Sequence, residues 1–502
     1  MRTIMLGCLF VTVIARADSQ YIWTTPVPIT ADTVNCLHPA FANSWGGSMN
    51  HGEEMLAFSR NGKDIVVLRT TNWGGTWRDP PQQITADSAD NDYPSLIHSF
   101  FGQPEDETAI LVWQSRQRGN LDIFFSTYSH LAWSSPQPID LNPEDDTRPC
   151  VSRLLGSYTA TWERHGSILY SEFDGIIWSA PEIVSAPGDT LSHLPQVSLV
   201  VVPPGYPPQP LVMWDRKKDA DTTHSIMYAF RNGGSWSTPD TLVNAGDNRR
   251  PRLFKYFDNT MMLWEKSVGS TIRCYSGLPT VSNGRCQFEF VSQLNQSPGD
   301  QRNIAVNACP SIITSNAMAL DVYCAVAVWE SGVSQPESIG VAVHGAHYYR
   351  LTAANGSEER NPDVSQGVAV GTGGGVRIWV VWEANVSGTW RLYASNTIVI
   401  LGDVDQAGGT PGSFRLEQNY PNPFNPTTTI QFSLPPGVET LHATSLRVYD
   451  VLGREVATLV NEMKSPGRYN VIWDAAGVAS AVYFYKLESS GRVETKRMIL
   501  MK

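Results

Sequence analysis

The sequence predicts an all-β protein, and three observations support this. No long window repeats its apolar residues with the 3.6-residue period of a helix. The 16 Trp and 18 Tyr, with only 17% charged residues, are typical of aromatic-rich β-structure. The 40 Gly and 33 Pro suit a chain with many turns. At 502 residues the chain is too long for one ordinary core, which predicts two or three domains or one large repeat array.

The chain begins with the pattern of a secretory signal peptide, which we predict over residues 1–17. Met1 and Arg2 form a short basic start, a mostly apolar run follows, and Ala15–Arg16–Ala17 is an A-x-A cleavage site. The apolar run is shorter than the about 20 residues that span a bilayer, and no later segment is long enough. We therefore expect an exported chain without a transmembrane segment. The net charge of −11 argues against a nucleic-acid partner.

Residues 20–401 contain a repeat of about 50 residues. In each unit a Pro begins an apolar strand, a second strand ends in Trp, a third strand follows, and a fourth carries Trp-x-x-Pro in the better-kept units. The Pro anchors are Pro39, Pro94, Pro149, Pro195, Pro251, Pro310 and Pro362. The second-strand tryptophans are Trp113, Trp162, Trp214, Trp264, Trp329 and Trp382.

Seven units of four strands predict a seven-bladed β-propeller. The seventh unit has no Trp-x-x-Pro strand, whereas the chain begins with one over 23–29, so we expect this N-terminal strand to complete the last blade. Units five and six are more degenerate, which leaves six or eight blades as alternatives. We expect the repeated Trp residues to fill the blade cores, the alternative being a sugar-stacking surface.

The last segment, 414–502, predicts a small Ig-like β-sandwich after a flexible Gly- and Pro-rich linker over 402–413. Its motifs are the NPFNP turn cluster at 422–426, VYDVLGREV at 448–456, and Trp473–Asp474 after a strand. In these motifs it resembles the type A C-terminal sorting domain of the bacterial type IX secretion system. The resemblance implies export through the periplasm to the cell surface or medium, with the secretion machinery as partner of 414–502. The alternative is an Ig-like domain without an address function.

The propeller segment resembles the sialidase-type propellers in one turn motif, the Asp-box. Residues 70–77 carry it with Asn72 in place of the Asp, and residues 171–178 are a looser variant. Asp-boxes are turns between the third and fourth strands, so they support the fold and say nothing about catalysis.

A sialidase clamps a carboxylate with three Arg and uses a Tyr activated by a Glu. Arg148 and Arg250 directly precede a strand-start Pro, and Arg360 lies two residues before one. We therefore name these three as candidate ligand-binding residues. The alternative is that they pair with acids just upstream, namely Asp145, Asp146, Asp247, Glu358 and Glu359.

The acids after the second-strand Trp form a second candidate set, because sevenfold geometry would place them at one radius. A ring of this kind could bind a cation or a sugar, or each acid could bond to a neighbouring blade's backbone or Arg. The set is Glu163, Asp215, Glu265, Glu330 and Glu383. No phosphate loop, metal-ligand spacing or nucleophile motif is present, so we assign no catalytic residue and expect no cofactor or metal.

Two cysteine pairs fall on neighbouring predicted strands. Export permits disulfides, and we predict Cys274–Cys286 and Cys309–Cys324. The function predicted from sequence is a secreted or cell-surface, non-catalytic module that binds an extracellular glycan or protein. A sialidase-like glycoside hydrolase is the alternative.

Overall fold

The protein is built from β-strands, and the residues that its computed structural model describes contain no helix. Those residues are 22–30, 33–44, 54–71, 74–78, 80–99, 107–154, 157–202, 208–218, 222–243, 245–256, 259–294, 299–315, 318–331, 338–343, 347–352, 357–370, 375–400, 414–419, 422–434, 444–462, 467–489 and 492–501. The predicted signal peptide 1–17 and linker 402–413 lie outside them. The chain divides into two compact units, Met1–Gly402 and Asp403–Lys502.

The first unit contains 33 strands in the described residues. The strands are β1 (Val27–Pro28), β2 (Cys36–Phe41), β3 (Asn43–Ser44), β4 (Met55–Arg60), β5 (Asp64–Thr71), β6 (Thr76–Trp77), β7 (Gln82–Gln83), β8 (Asn91–Ser99), β9 (Thr108–Ser115), β10 (Asp122–Ser129), β11 (Ala132–Trp133), β12 (Gln137–Pro138), β13 (Asp146–Leu154), β14 (Ser157–Arg164), β15 (Ser167–Phe173), β16 (Glu182–Ile183), β17 (Ser192–Val200), β18 (Gln209–Lys217), β19 (His224–Asn232), β20 (Ser235–Trp236), β21 (Asp240–Val243), β22 (Asn248–Tyr256), β23 (Asn259–Val268), β24 (Thr271–Ser282), β25 (Arg285–Gln293), β26 (Gln301–Ser315), β27 (Met318–Ser331), β28 (Ser338–Val343), β29 (His347–Leu351), β30 (Glu358–Val364), β31 (Val368–Val370), β32 (Gly375–Val386) and β33 (Thr389–Ile400).

Within the described residues these strands form seven sheets, antiparallel apart from the short parallel pair β3–β8. In chain order the sheets are β2 with β4–β7, β3 with β8–β12, β13–β16, β17–β21, β22–β25, β26–β29, and β30–β33 with β1. We number them one to seven in this order. The long first strand of each sheet (β2, β8, β13, β17, β22, β26 and β30) is called its inner strand.

The inner strands form a closed series. Each inner strand contacts the inner strand of the next sheet, and β30 of the seventh sheet contacts β2 of the first. The arrangement is propeller-like, with sheets packed side by side around a common axis. It brings the equivalent end of every inner strand to one rim, which is where the candidate site lies.

The ring is also closed by strand pairing. The N-terminal strand β1 pairs antiparallel with β33, with Val27 opposite Ala394. The Thr397 side chain donates to the Ile22 carbonyl at 2.9 Å, and Thr24 N–H donates to the Asn396 carbonyl at 2.8 Å. This confirms the expectation that the N-terminal strand completes the last sheet.

Six tryptophans, one at the end of the second strand in sheets two to seven, fill the space between sheets. Trp113, Trp162, Trp214, Trp329 and Trp382 are completely buried, and Trp264 is 2% exposed. All but Trp329 belong to clusters that draw residues from two neighbouring sheets, as Trp113 does with Met55 and Val67 of the first sheet. Burial of this kind rules out a role in sugar stacking for these rings and confirms the core prediction.

One repeat anchor was placed wrongly. The sequence predicts that the inner strand of unit six begins at Pro310, but β26 begins at Gln301 and Pro310 lies within it, opposite Tyr323. Proline is tolerated there because an inner strand is the edge of its sheet and needs no outward N–H donor. The residue equivalent to the other anchors is Ile304.

The second unit is a two-sheet structure. Its strands are β34 (Arg415–Leu416), β35 (Thr427–Leu434), β36 (Thr444–Tyr449), β37 (Glu455–Glu462), β38 (Gly467–Asp474), β39 (Ala481–Ser489) and β40 (Arg492–Leu500). The sheet orders are β34-β35-β38 and β37-β36-β39-β40. Both sheets contribute to one core, including Phe432, Leu446, Trp473, Tyr485 and Met498.

The predicted disulfide between Cys274 and Cys286 does not form. Both residues lie on adjacent strands, but Cys286 is opposite Val281 whereas Cys274 is opposite Glu265, so the two thiols are at different ends of the pair. Both are free and buried. Cys309 and Cys324 are opposite one another in β26 and β27. Their side chains lie outside the described set, so this disulfide stays a prediction.

Candidate functional site

Each inner strand contains one residue in the left-handed conformation near its start. The seven φ values lie between 48° and 56°, at His38, Tyr93, Arg148, Leu194, Arg250, Asn303 and Asn361. Six of the seven precede a Pro, which disfavours right-handed helical geometry in the preceding residue. We call this set the rim residues.

A register shift accompanies each rim residue. The inner strand carries one bulge near its start, after the first two pairs of its ladder in six sheets and after the first three in β30, as between Arg249 and Arg252 in β22. A bulge re-aims side chains and bends the strand. Non-Gly residues in this conformation cost about 1–3 kcal/mol each and persist only where the surroundings hold them.

The acids that follow the second-strand Trp stabilise this backbone conformation of the rim residues. Glu163 accepts the backbone N–H of Leu194 at 2.7 Å, and Asp215 accepts that of Arg250 at 3.0 Å. Glu330 accepts the N–H of Asn361 at 2.8 Å. In each case the carboxylate belongs to one sheet and the N–H to the next. The acids are thus buried structural groups, which is the alternative to a cation- or sugar-binding ring.

The same contact closes the ring between the last and first sheets. Glu383, which is fully buried, accepts the His38 N–H at 2.6 Å. Two further contacts depart from the pattern. Glu265 accepts the N–H of Ile304 at 3.4 Å, and Gln114 takes the place of the acid in accepting the Arg148 N–H at 3.1 Å.

In the first sheet Ser59 stands where the other sheets have the acid or amide. The N–H of Tyr93 in the second sheet is therefore held by a residue of its own strand. The Tyr93 N–H is accepted at 2.8 Å by the carboxylate of Asp92, the residue just before it. The same carboxylate oxygen lies 2.6 Å from Nδ1 of His38. Asp92 therefore fixes both the backbone of Tyr93 and the imidazole of His38, leaving Nε2 of that ring available to a ligand.

Three rim side chains form a stack. The His38 and Tyr93 rings are stacked with their centres 3.8 Å apart, and the guanidinium carbon of Arg148 lies 3.8 Å from the centre of the Tyr93 ring. The three residues come from successive inner strands, so Tyr93 lies between the other two. Cation–π and aromatic contacts of this kind contribute roughly 0.5–2 kcal/mol each.

The stack is chemically open on its outer side. Arg148 is exposed, and among the described residues no carboxylate lies within ion-pair distance of its guanidinium. The Tyr93 hydroxyl makes no hydrogen bond to the described part of the chain. Burial raises the pKa of Tyr93, partly offset by the positive charge of Arg148, so the phenol stays protonated as a donor.

Arg360 belongs to the same sector of the rim. Its Nε donates to Glu383 at 2.8 Å, and its guanidinium carbon lies 3.6 Å from the centre of the Trp390 ring. The electrostatic neighbours of Tyr93 include both Arg360 and Glu383. This sector thus combines two guanidinium groups, an imidazole and a phenol.

Arg250 lies in a different sector, with Asn303. Its guanidinium donates to the Asn303 side-chain oxygen, and its Nε is 4.0 Å from the Glu265 carboxylate. Burial raises the pKa of Glu265 to about 7. Among the described residues none of the three candidate arginines pairs with the upstream acids. Two of those acids bind other arginines: Asp146 binds Arg164, and Asp247 binds Arg249.

Three arginines that lie at the rim or beside it are named as candidates from the sequence, whereas the rim residues His38, Tyr93 and Asn361 are not. A usable signal existed, because all three precede an anchor Pro, as Arg148 and Arg250 do. Asn303 could not be found in this way, because Ile304 replaces the Pro of its unit.

The family comparison identifies the second unit. Residues 418–501 match the family described as the secretion system C-terminal sorting domain. No curated protein matches the chain.

Solved structures resemble the chain in fold at low identity. A PL25 ulvan lyase is 9% identical with a TM-score of 0.44, over 74% of this chain and 95% of that one. The Trypanosoma rangeli sialidase is 9% identical with a TM-score of 0.36, over 92% and 83%. The parainfluenza virus 5 hemagglutinin-neuraminidase ectodomain is 10% identical with a TM-score of 0.38, over 74% and 84%. These likenesses assign no residue of this chain a role.

No helix within the described residues is long and apolar enough to cross a membrane. The chain joins an all-β, propeller-like unit to a C-terminal unit whose matched family directs export to the cell surface or the medium. Residues 418–501 are a type IX secretion system C-terminal sorting domain.

Proposed function

We propose that this chain is an exported seven-bladed β-propeller protein that binds an extracellular glycan, without catalysis, at the rim formed by His38, Tyr93 and Arg148. Its seven sheets would be the seven blades, over 20–401, and 414–502 an Ig-like sorting sandwich reached through the linker 402–413. Export would run through the periplasm after removal of residues 1–17.

One observation carries the binding proposal: the exposed Arg148 guanidinium lies on the Tyr93 ring with no carboxylate partner in the described residues. A charged group held in place but left unpaired at a strand end is available to a ligand. The neighbouring Tyr93 hydroxyl and His38 Nε2 add two polar contacts. Such a set suits the hydroxyl and acidic groups of a glycan. A protein ligand is the alternative.

A sialidase-like glycoside hydrolase is the second candidate, because Tyr93 has Arg148, Arg360 and Glu383 as electrostatic neighbours. Two features favour binding over hydrolysis. Burial raises the pKa of Tyr93, which disfavours the phenolate nucleophile. Both oxygens of Glu383 are already engaged, one by the His38 N–H and Asn361, the other by Arg360.

The test is a glycan array with neutral and acidic glycans, using the intact protein and Arg148→Ala. We expect binding that falls at least about tenfold in the variant, the range for a bidentate or stacked Arg contact. Arg285→Ala is the matched control, since Arg285 is 80% exposed at the turn between β24 and β25, at the end of its sheet opposite the rim. Equal binding by wild type and Arg148→Ala would contradict the proposal. Turnover of a fluorogenic sialoside, abolished by Tyr93→Phe, would favour the hydrolase.

A further inference from the structure

The outer face of the four-stranded sheet in the second unit is divided into an apolar end and a polar end. Along β36, β39 and β40, alternate residues point into the core, and the residues between them point outward. Tyr449 on β36 is opposite Phe484 on β39, which is opposite Arg497 on β40. The next outward-facing pair, toward the start of β39, is Val482 and Ile499.

The other end of this face is polar. There Ser445 is opposite Glu488, which is opposite Val493. Between the two ends the charges are paired: Arg447 binds Glu455 at 2.8 Å, and Lys486 binds Glu488 at 2.9 Å. The contrast between the ends argues that the apolar one is not simply a by-product of a solvent-exposed sheet.

A turn extends the apolar end beyond the sheet. Val451 and Leu452, at the tip between β36 and β37, are 65% and 74% exposed. An aliphatic side chain exposed to this degree gains nothing from burial in its own fold. Single exposed apolar residues are ordinary, but two at a turn beside Phe484, which is 36% exposed, form a patch.

The turn is held in one conformation. The Asp450 carboxylate accepts the N–H groups of Leu452 at 2.9 Å and Arg454 at 3.0 Å, and its other oxygen accepts Arg454 Nε at 2.7 Å. Gly453 supplies the left-handed φ of 77° that the turn requires. The two aliphatic side chains are thus displayed by a pre-ordered backbone, which lowers the entropic cost of binding a partner.

The patch has a cationic border. Arg454 is 75% exposed at the turn, and Arg497 is exposed beside Phe484 with no carboxylate in ion-pair distance among the described residues. A complementary partner would therefore present an apolar pocket next to a carboxylate.

We propose that this surface, formed by Tyr449, Val451, Leu452, Phe484 and Arg497, is where the secretion machinery receives the sorting domain. The proposal rests on the sorting assignment of residues 418–501 and is independent of any ligand at the rim. The partner is a component of the machinery with an apolar, acid-bordered pocket.

The test uses the full chain expressed in a bacterium with a working type IX system. Export is measured as the ratio of protein in the medium and at the surface to protein in the periplasm. We expect Leu452→Ser with Phe484→Ser to lower that ratio at least about tenfold, as loss of central apolar contacts does at interfaces. Val493→Ser, on the same sheet face at its polar end and 49% exposed, should leave it unchanged.

Two further measurements separate the possible failures. Deletion of 414–502 should abolish export; if it does not, the sorting role itself is wrong. If the deletion blocks export but the double variant is exported normally, only the surface proposal is wrong. The purified Leu452→Ser protein should unfold at the wild-type temperature, and a large loss of stability would also overturn the proposal, because it would give Leu452 a structural role.

Discussion

The carboxylate of Glu383 should be essential to the stability of the first unit, because it joins the last sheet to the first. It is fully buried and accepts three hydrogen bonds, from His38 N–H at 2.6 Å, Asn361 Nδ2 at 2.9 Å and Arg360 Nε at 2.8 Å. Replacement by Ala would leave three donors without their acceptor, one of them charged. Breaking a buried pair from one side costs about 3–5 kcal/mol.

The expected change in melting temperature follows from the size of the unit. A unit spanning Met1–Gly402 unfolds with an entropy of about 0.8 kcal/mol/K, so the loss corresponds to a decrease of about 4–6 °C. The assay is thermal and urea unfolding of the purified protein, followed by tryptophan fluorescence.

Glu330→Ala is a second test of the same role, since Glu330 makes the equivalent contact to Asn361 N–H at 2.8 Å between sheets six and seven. It should also destabilise the unit, whereas Glu289→Ala, at an exposed position on β25, should not. A free energy of unfolding for Glu383→Ala within about 1 kcal/mol of wild type would refute the role assigned to these acids.

Three other outcomes are expected. Burial raises the pKa of Glu54 to about 8, so its contribution to stability is complete below about pH 4.5 and is lost as the pH rises through about 8. Glu54→Gln should therefore gain unfolding free energy relative to wild type between about pH 5 and pH 9; a constant difference would contradict the burial argument. Mass mapping of the non-reduced protein should find a Cys309–Cys324 bond and four free thiols, at Cys36, Cys150, Cys274 and Cys286. A chain lacking 414–502 should keep its rim ligand, measured on the glycan array, yet accumulate in the periplasm.

Features that repeat along the chain could be predicted from sequence. The buried tryptophans at the ends of second strands stand out because their bulk is needed in nearly every sheet, and this makes the repeat visible. Closure by the N-terminal strand could be predicted because the Trp-x-x-Pro pattern missing from the last unit stands at 23–26. Both are properties of residue type and spacing.

Register and local backbone conformation could not be predicted in the same way. Cys274 and Cys286 lie on adjacent strands as expected, but which residues stand opposite one another depends on the turn length and on a bulge between Ser276 and Leu278. The inner-strand anchor at Pro310 failed for a related reason. In the sixth sheet the left-handed position is occupied by Asn303, which adopts that conformation without a following Pro.

Only two of the seven rim residues, Arg148 and Arg250, are named from the sequence, and the reason lies in how the rim backbone is held. At Asn303 the preceding sheet holds the N–H of the next residue, Ile304, and each of the other six rim residues is fixed through its own backbone N–H, in five cases by a group of the preceding sheet. The rim side chains are therefore free to vary, and the seven equivalent positions carry five residue types. An arginine pattern in the sequence therefore indicates only the rim positions that carry Arg, and not those that carry His, Tyr, Leu or Asn.

Because the rim is held through its backbone, a substitution at Leu194 can increase the stability of the first unit. It adopts a φ of 53°, which disfavours a branched apolar residue by roughly 1–2 kcal/mol, whereas Asn tolerates it and occupies two equivalent positions. Because Glu163 binds the backbone of Leu194 and not its side chain, Leu194→Asn should keep that contact. We expect the free energy of unfolding in urea to rise by up to about 1 kcal/mol, as for other relief of backbone strain. A loss of more than about 1 kcal/mol would show that the Leu194 side chain, and not its backbone, is what the rim requires.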